Sequence, residues 1–94
     1  MGVIRVTGRL ICKSDAEARI VEDHLGDHIR LTREETGCLR FEVTRSDSEP
    51  MVWMLDEAFT DRSAFEAHQN RTRTSHWGRV SVGIERDFRV TEGD

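Results

Sequence analysis

Apolar and polar residues alternate from Val3 to Cys12, with Ile4, Val6, Leu10 and Cys12 on one parity and Arg5, Thr7, Arg9 and Lys13 on the other. A period of two predicts a half-buried β-strand. Ser14-Asp15-Ala16-Glu17 then reads as a capping box, in which the Ser14 hydroxyl accepts from the Glu17 N–H and the Glu17 carboxylate returns to the Ser14 N–H. Ala18, Val21, Leu25 and Ile29 recur every three or four residues, with Ile20 and Leu31 widening the stripe, which predicts an amphipathic helix of about five turns. Gly37 is expected to close it in the left-handed conformation. Leu39, Phe41 and Val43 alternate with Arg40, Glu42 and Thr44 as a second strand, and Ser46 to Pro50 has turn composition. The apolar run Met51 to Phe59 predicts a buried third strand paired with the second as a hairpin. A second helix starts at Thr60 or Asp61, with Ser63-Ala64-Phe65-Glu66 as a competing capping box, and fades near Asn70. Arg71 to Gly78 reads as a polar loop, and Val80, Val82, Ile84, Phe88 and Val90 share one parity of a long last strand.

The element order is strand, helix, strand, strand, helix, strand, the split βαβ arrangement of a ferredoxin-like α+β fold with an antiparallel sheet. Both helices are expected on one sheet face, leaving Arg5, Arg9, Arg40, Glu42, Glu85 and Arg89 on the other. A second copy of the same sheet would cover that half-polar surface, so a homodimer is expected.

Length and composition narrow the classes. Ninety-four residues with 36% hydrophobic and 34% charged side chains make a single domain, 1–94, with its core over about 3–90. A formal net charge of −4 argues against nucleic acid as a partner, since phosphate contacts require clustered cations. No apolar run approaches the roughly 18 residues of a membrane span and no signal peptide is evident, so a cytoplasmic protein without membrane partners is expected. Cys12 and Cys38 lack CxxC spacing and are expected as buried thiols.

Two stretches carry a family likeness. Glu35-Thr36-Gly37-Cys38-Leu39-Arg40-Phe41-Glu42-Val43 resembles the helix-end, Gly-Cys, second-strand passage of the antibiotic biosynthesis monooxygenase (ABM) domain family. Glu57-Ala58-Phe59-Thr60-Asp61-Arg62-Ser63-Ala64-Phe65-Glu66-Ala67-His68 resembles that family's exit from the third strand into the second helix. The resemblance implies a dimeric α+β barrel with a pocket between sheet and helices in each subunit. It implies oxidation of electron-rich aromatics such as anthrones and hydroquinones by O₂, without metal, flavin or haem. Other members degrade haem or isomerise a small phosphorylated sugar derivative, so membership does not fix a reaction. The chain departs from the family pattern in having Phe59 where Trp is frequent and in placing His76 eight residues beyond His68, where about five is usual. Thr7-Gly8-Arg9 on the first strand and His68 at the position of a helix Trp argue against haem degradation.

Oxygenation without a cofactor requires a base to remove a phenolic proton, a place to hold the anion, and exclusion of bulk water. A histidine in a semi-apolar pocket suits the base, because its unperturbed pKa lies near neutrality. His68, on the same helical face as Ala64 and Phe65, is the candidate catalytic residue, with Phe65 beside it in the pocket. Trp53 and Trp77, in a chain without tyrosine, are candidates for stacking on a flat substrate, Trp53 also reading as core. Asn70 could donate to an oxyanion, Arg71 and Arg73 could hold an acidic group, and His76 neighbours Trp77 in the same segment. Glu57 could orient His68 or pair with an arginine. His24 and His28 have i, i+4 spacing compatible with a metal, but no third ligand or HExxH motif accompanies them, so no metal site is assigned. The expected function is a cofactor-independent monooxygenase acting on a phenolic, quinol or anthrone-type small molecule. The alternatives are an isomerase or proton-transfer enzyme on a small carbonyl or phosphate compound, or a dimeric ligand-binding domain.

Overall fold

A computed structural model describes residues 2–93. Strand β1 (Val3–Ile11) leads into helix α1 (Asp15–Arg33), followed by the hairpin of β2 (Cys38–Arg45) and β3 (Val52–Phe59). Helix α2 (Arg62–Thr74), a short helix α3 (His76–Val80) and β4 (Glu85–Gly93) complete the chain. The four strands form one antiparallel sheet in the order β2-β3-β1-β4, so the expected ferredoxin-like α+β fold is present.

Register assigns the faces. Ile4, Val6 and Leu10 lie opposite Phe59, Glu57 and Trp53, and these side chains point at the helices. Arg5, Arg9, Arg40 and Arg89 take the other parity, where Arg9 pairs with Asp87 and Arg40 with Asp56, each at 2.8 Å. In α1 the buried stripe is Ala18, Val21, Leu25, His28 and Thr32. Its N-cap is Ser14, as read from the sequence, but the Glu17 carboxylate returns to the Lys13 N–H at 2.8 Å rather than to that of Ser14. Asp61 caps α2, accepting from the Ala64 N–H at 2.8 Å.

Three local expectations are corrected. Gly37 does not adopt a left-handed conformation; Gly8 alone has positive φ among the described residues. Gly37 is small because the chain passes against α2, where an added Cβ would overlap the Ala64 side chain and stand 3.0 Å from Thr60 Oγ1. Arg71 to Gly78 is not an irregular loop: α2 runs on to Thr74, and Ser75 then caps α3 by accepting from the Gly78 N–H at 3.0 Å. The last strand starts at Glu85 rather than near Val80, because Val80 closes α3 and Ile84 is buried in the turn that follows.

The core gathers Leu10, Cys12, Ala18, Val21, Leu25 and Trp53, with Trp77 and Ile84, between α1 and the sheet. Cys12 and Cys38 are free thiols, Cys12 buried as expected and Cys38 only half-buried, at the start of β2. Among the described residues no helix is long and apolar enough to cross a membrane.

Candidate functional site

The helices leave the β4 side of the sheet partly open, and a cavity of about 310 Å³ occupies the gap. Val6, Leu10, Phe41 and Leu55 form its floor on the sheet, while Phe88, Val90 and the exposed Val82 stand on its β4 side. Leu25 and His28 of α1, Phe65 and His68 of α2, and Trp77 of α3 supply the roof.

His68 is the sole buried residue of α2, 4% exposed, with its ring 4.8 Å from that of Phe59. Its Nδ1 lies 3.0 Å from Glu35 Oε1, and the other oxygen of Glu35 receives a hydrogen bond from Arg71 Nε. Arg71 is itself fixed by a 2.9 Å hydrogen bond from Nη2 to Thr32 Oγ1. A carboxylate paired with a guanidinium only accepts, so Nδ1 of His68 carries the proton and donates it. Nε2 therefore presents its lone pair on the cavity side, 3.8 Å from Glu57 Oε1. Burial pushes the His68 pKa below its usual value; the nearby Glu35 charge opposes this and Arg71 adds to it. The imidazole is neutral at pH 7.

The backbone explains how Glu35 reaches His68. Helix α1 ends at Arg33, whose guanidinium donates to the Phe41 carbonyl at 3.1 and 2.8 Å and so ties the helix end to β2. The chain between them presses Gly37 against Ala64, and the Thr60 N–H donates to the Gly37 carbonyl at 2.9 Å. Glu35 is thereby held one turn of α2 away from the Ala64 contact, beside His68.

Glu57 lies in mid-strand, opposite Val6 on one side and Phe41 on the other, and is 5% exposed. Burial, reinforced by the Glu35 charge, raises its pKa to about 8, so it is a neutral carboxylic acid at pH 7. His28 stacks on Trp77 with ring centroids 5.7 Å apart and meets Phe41 edge-on at 5.4 Å. Its Nδ1 is buried with no hydrogen-bond partner, and burial, helped by His68, Arg71 and Arg86, drives its pKa down to about 3.

Of the residues singled out from the sequence, His68, Glu57, Phe65, Arg73 and Trp77 line this cavity. Trp53 does not: its place opposite Leu10 sets it under the first half of α1, and Arg45 covers its ring at 4.4 Å. The irregularity that adjusts strand register falls between Cys38 and Arg40, leaving Leu39 exposed, and does not alter the Trp53 parity. Asn70 is exposed and does not line the cavity; its Oδ1 accepts from Arg73, which does. Arg71 and His76 border a smaller pocket of about 120 Å³ on the far side of His28 and Trp77, where His76 meets His24 edge-on at 4.8 Å. Glu35 and His28 were missed as site residues. Continuing the Ala18, Val21, Leu25 spacing to positions 28 and 32, rather than to Ile29, is the signal that places His28 inside. Among the described residues no three His, Cys, Asp or Glu side chains group as a metal site.

Solved structures share this architecture. A protein from Shewanella oneidensis superposes with a TM-score of 0.77 at 20% identity, over 98% of this chain and 91% of its own. One from Pseudomonas aeruginosa gives 0.75 at 21% identity, over 98% and 92%. A structure described as an antibiotic biosynthesis monooxygenase gives 0.69 at 19% identity, over 97% and 96%. At these identities the likeness is one of fold. No curated protein sequence matches the chain. The family model for the antibiotic biosynthesis monooxygenase matches residues 4–79, most of the chain with both residues of the Glu35–His68 pair inside it, and the protein therefore belongs to the ABM family.

Proposed function

We propose that the chain is a monooxygenase that uses O₂ on a phenolic, quinol or anthrone-type small molecule without a bound cofactor. The observation that carries this reading is the Glu35–His68 pair, which turns an unprotonated Nε2 toward an apolar cavity of about 310 Å³. His68 Nε2 takes the proton of a phenolic or enolic O–H as general base, and the Glu35 carboxylate stabilises the imidazolium that results. The substrate anion passes one electron to O₂, and the substrate radical and superoxide combine at carbon. The proton on His68 goes to the new hydroperoxide. For a CH₂ centre, loss of water then leaves a carbonyl, so one O₂ is consumed and one water is formed per product. The Phe41, Leu55 and Phe88 side chains keep bulk water from the anion, and Trp77 offers a ring for stacking.

The open sheet face, with its paired charges and the exposed Met54 and Leu39, is proposed as the homodimer surface. A proton-transfer isomerase is the second reading, favoured by the presence of two titratable groups, His68 and Glu57, across one gap. O₂ consumption with a panel of hydroquinones and anthrones in chelator-treated buffer separates the two. The oxygenase reading expects uptake that falls at least about tenfold in His68→Ala. Substrate conversion without O₂ uptake would replace it with the isomerase.

A further inference from the structure

A carboxyl group at the middle of β3, between apolar positions on both neighbouring strands, costs folding free energy that Leu or Met there would not. Glu57 has no hydrogen-bond partner among the described residues, and its only neighbouring cation-forming group is His68, 3.8 Å away. That distance exceeds hydrogen-bond reach, and two uncharged groups make no ion pair. Both nevertheless line the cavity. Two atoms 3.8 Å apart can share one oxygen placed about 2.8 Å from each.

We infer that Glu57 and His68 form a seat for a single ligand oxygen, with the Glu57 carboxyl as hydrogen-bond donor and His68 Nε2 as acceptor. The oxygen's own proton goes to Nε2, and the oxyanion that forms keeps the Glu57 O–H as its donor. Glu57 stays protonated throughout. The ligand group that fits is an acidic hydroxyl, a phenol or enol. The groups around the seat set its charge state: Glu35 from the α1–β2 connection, His68 and Arg71 from α2, His28 from α1 and Arg86 from β4. Glu35 is neutralised by Arg71, and its residual field together with burial keeps the Glu57 proton in place up to about pH 8. Strand β1 contributes Val6 opposite Glu57, and β2 contributes Phe41 and, at its start, the Cys38 thiol, which the Glu57 charge raises.

The inference rests on the same cavity as the proposed reaction, but its test needs no turnover. Binding of 4-chlorophenol, whose hydroxyl ionises well above the Glu57 carboxyl, is followed by quenching of tryptophan fluorescence under anaerobic conditions, with 4-chloroanisole as the probe that lacks the hydroxyl. Wild type is expected to bind 4-chlorophenol with an affinity that is level to about pH 8 and falls about tenfold per pH unit above it, as the Glu57 donor is lost. Glu57→Gln, whose amide still donates, should bind without that break. Glu57→Leu should bind at least about tenfold more weakly at pH 7. Equal binding by Glu57→Leu, a break near pH 8 that persists in Glu57→Gln, or no preference for chlorophenol over chloroanisole would each overturn the seat. O₂ uptake that depends on His68 but not on Glu57 would leave the oxygenase reading standing while removing this one. The converse, binding as described without O₂ uptake, would remove the oxygenase reading alone.

Discussion

Glu57→Gln should change how stability depends on alkali. In the folded chain the Glu57 carboxyl ionises at about 8, against 4.5 for a free side chain. A raised folded pKa stabilises fully below the unfolded value and loses that stability as pH rises through the folded one. Between pH 5 and pH 9, linkage at about 1.36 kcal/mol per unit gives a loss of about 4 kcal/mol from this one group. Water entering from the open β4 side reduces it, so about 2–4 kcal/mol is expected. Glutamine keeps the shape and cannot ionise, so the variant should be the more stable protein at pH 9 and gain nothing comparable at pH 5. Urea unfolding of both proteins across this range measures the difference directly. The Cys12 thiol, raised by burial, has no Glu57 contribution and cancels; the Cys38 thiol is raised mainly by burial and slightly by the Glu57 charge, so Cys38→Ser is made in both proteins to remove it. A variant-minus-wild-type difference that stays flat from pH 5 to pH 9 would refute the reasoning.

Other predictions follow from single contacts. His28 is buried neutral with a folded pKa of about 3 against 6.5 unfolded, so stability should fall by about 3 kcal/mol between pH 7 and pH 4 from this group, and His28→Phe should flatten that limb in acid unfolding. Gly37→Ala should cost about 1–3 kcal/mol by overpacking against Ala64, lowering the melting temperature by several degrees and disturbing the Glu35–His68 pair. Asp61→Ala removes the α2 N-cap and should cost about 1 kcal/mol in the same assay. Sedimentation should give twice the 10.8 kDa chain mass, and a stable monomer at micromolar concentration would contradict the proposed dimer.

Strand parity made much of this fold legible before any coordinates. The alternation in Val3 to Cys12 and the Ser14 and Asp61 caps needed only local rules, and they placed His68 on the inner face of α2 correctly. The elements misread were those decided by contacts distant in sequence. Arg71 to Gly78 is polar but for Trp77 and Gly78, yet it is helical because Ser75 caps a new turn and Gly78 lets α3 approach the Thr72 carbonyl. Gly37 looked like a helix stop, but its smallness answers to Ala64 on another helix. The same holds for the site. Glu35 sits in the quoted family stretch, but nothing along the chain shows that it meets a histidine 33 residues away. Trp53 has the inner parity, but only its position along β3 decides that it lies under α1 instead of lining the cavity.

The account rests on His68 being a neutral base whose Nε2 is free toward the cavity. Long-range ¹H–¹⁵N correlation of the histidine rings at pH 7 reads this directly, with His68→Gln assigning the signal. The structure predicts a neutral ring with the proton on Nδ1, the tautomer that free histidine disfavours, reverting to the other tautomer in Glu35→Ala. A proton on Nε2, or a doubly protonated ring at pH 7, would contradict the assignment of His68 as the base.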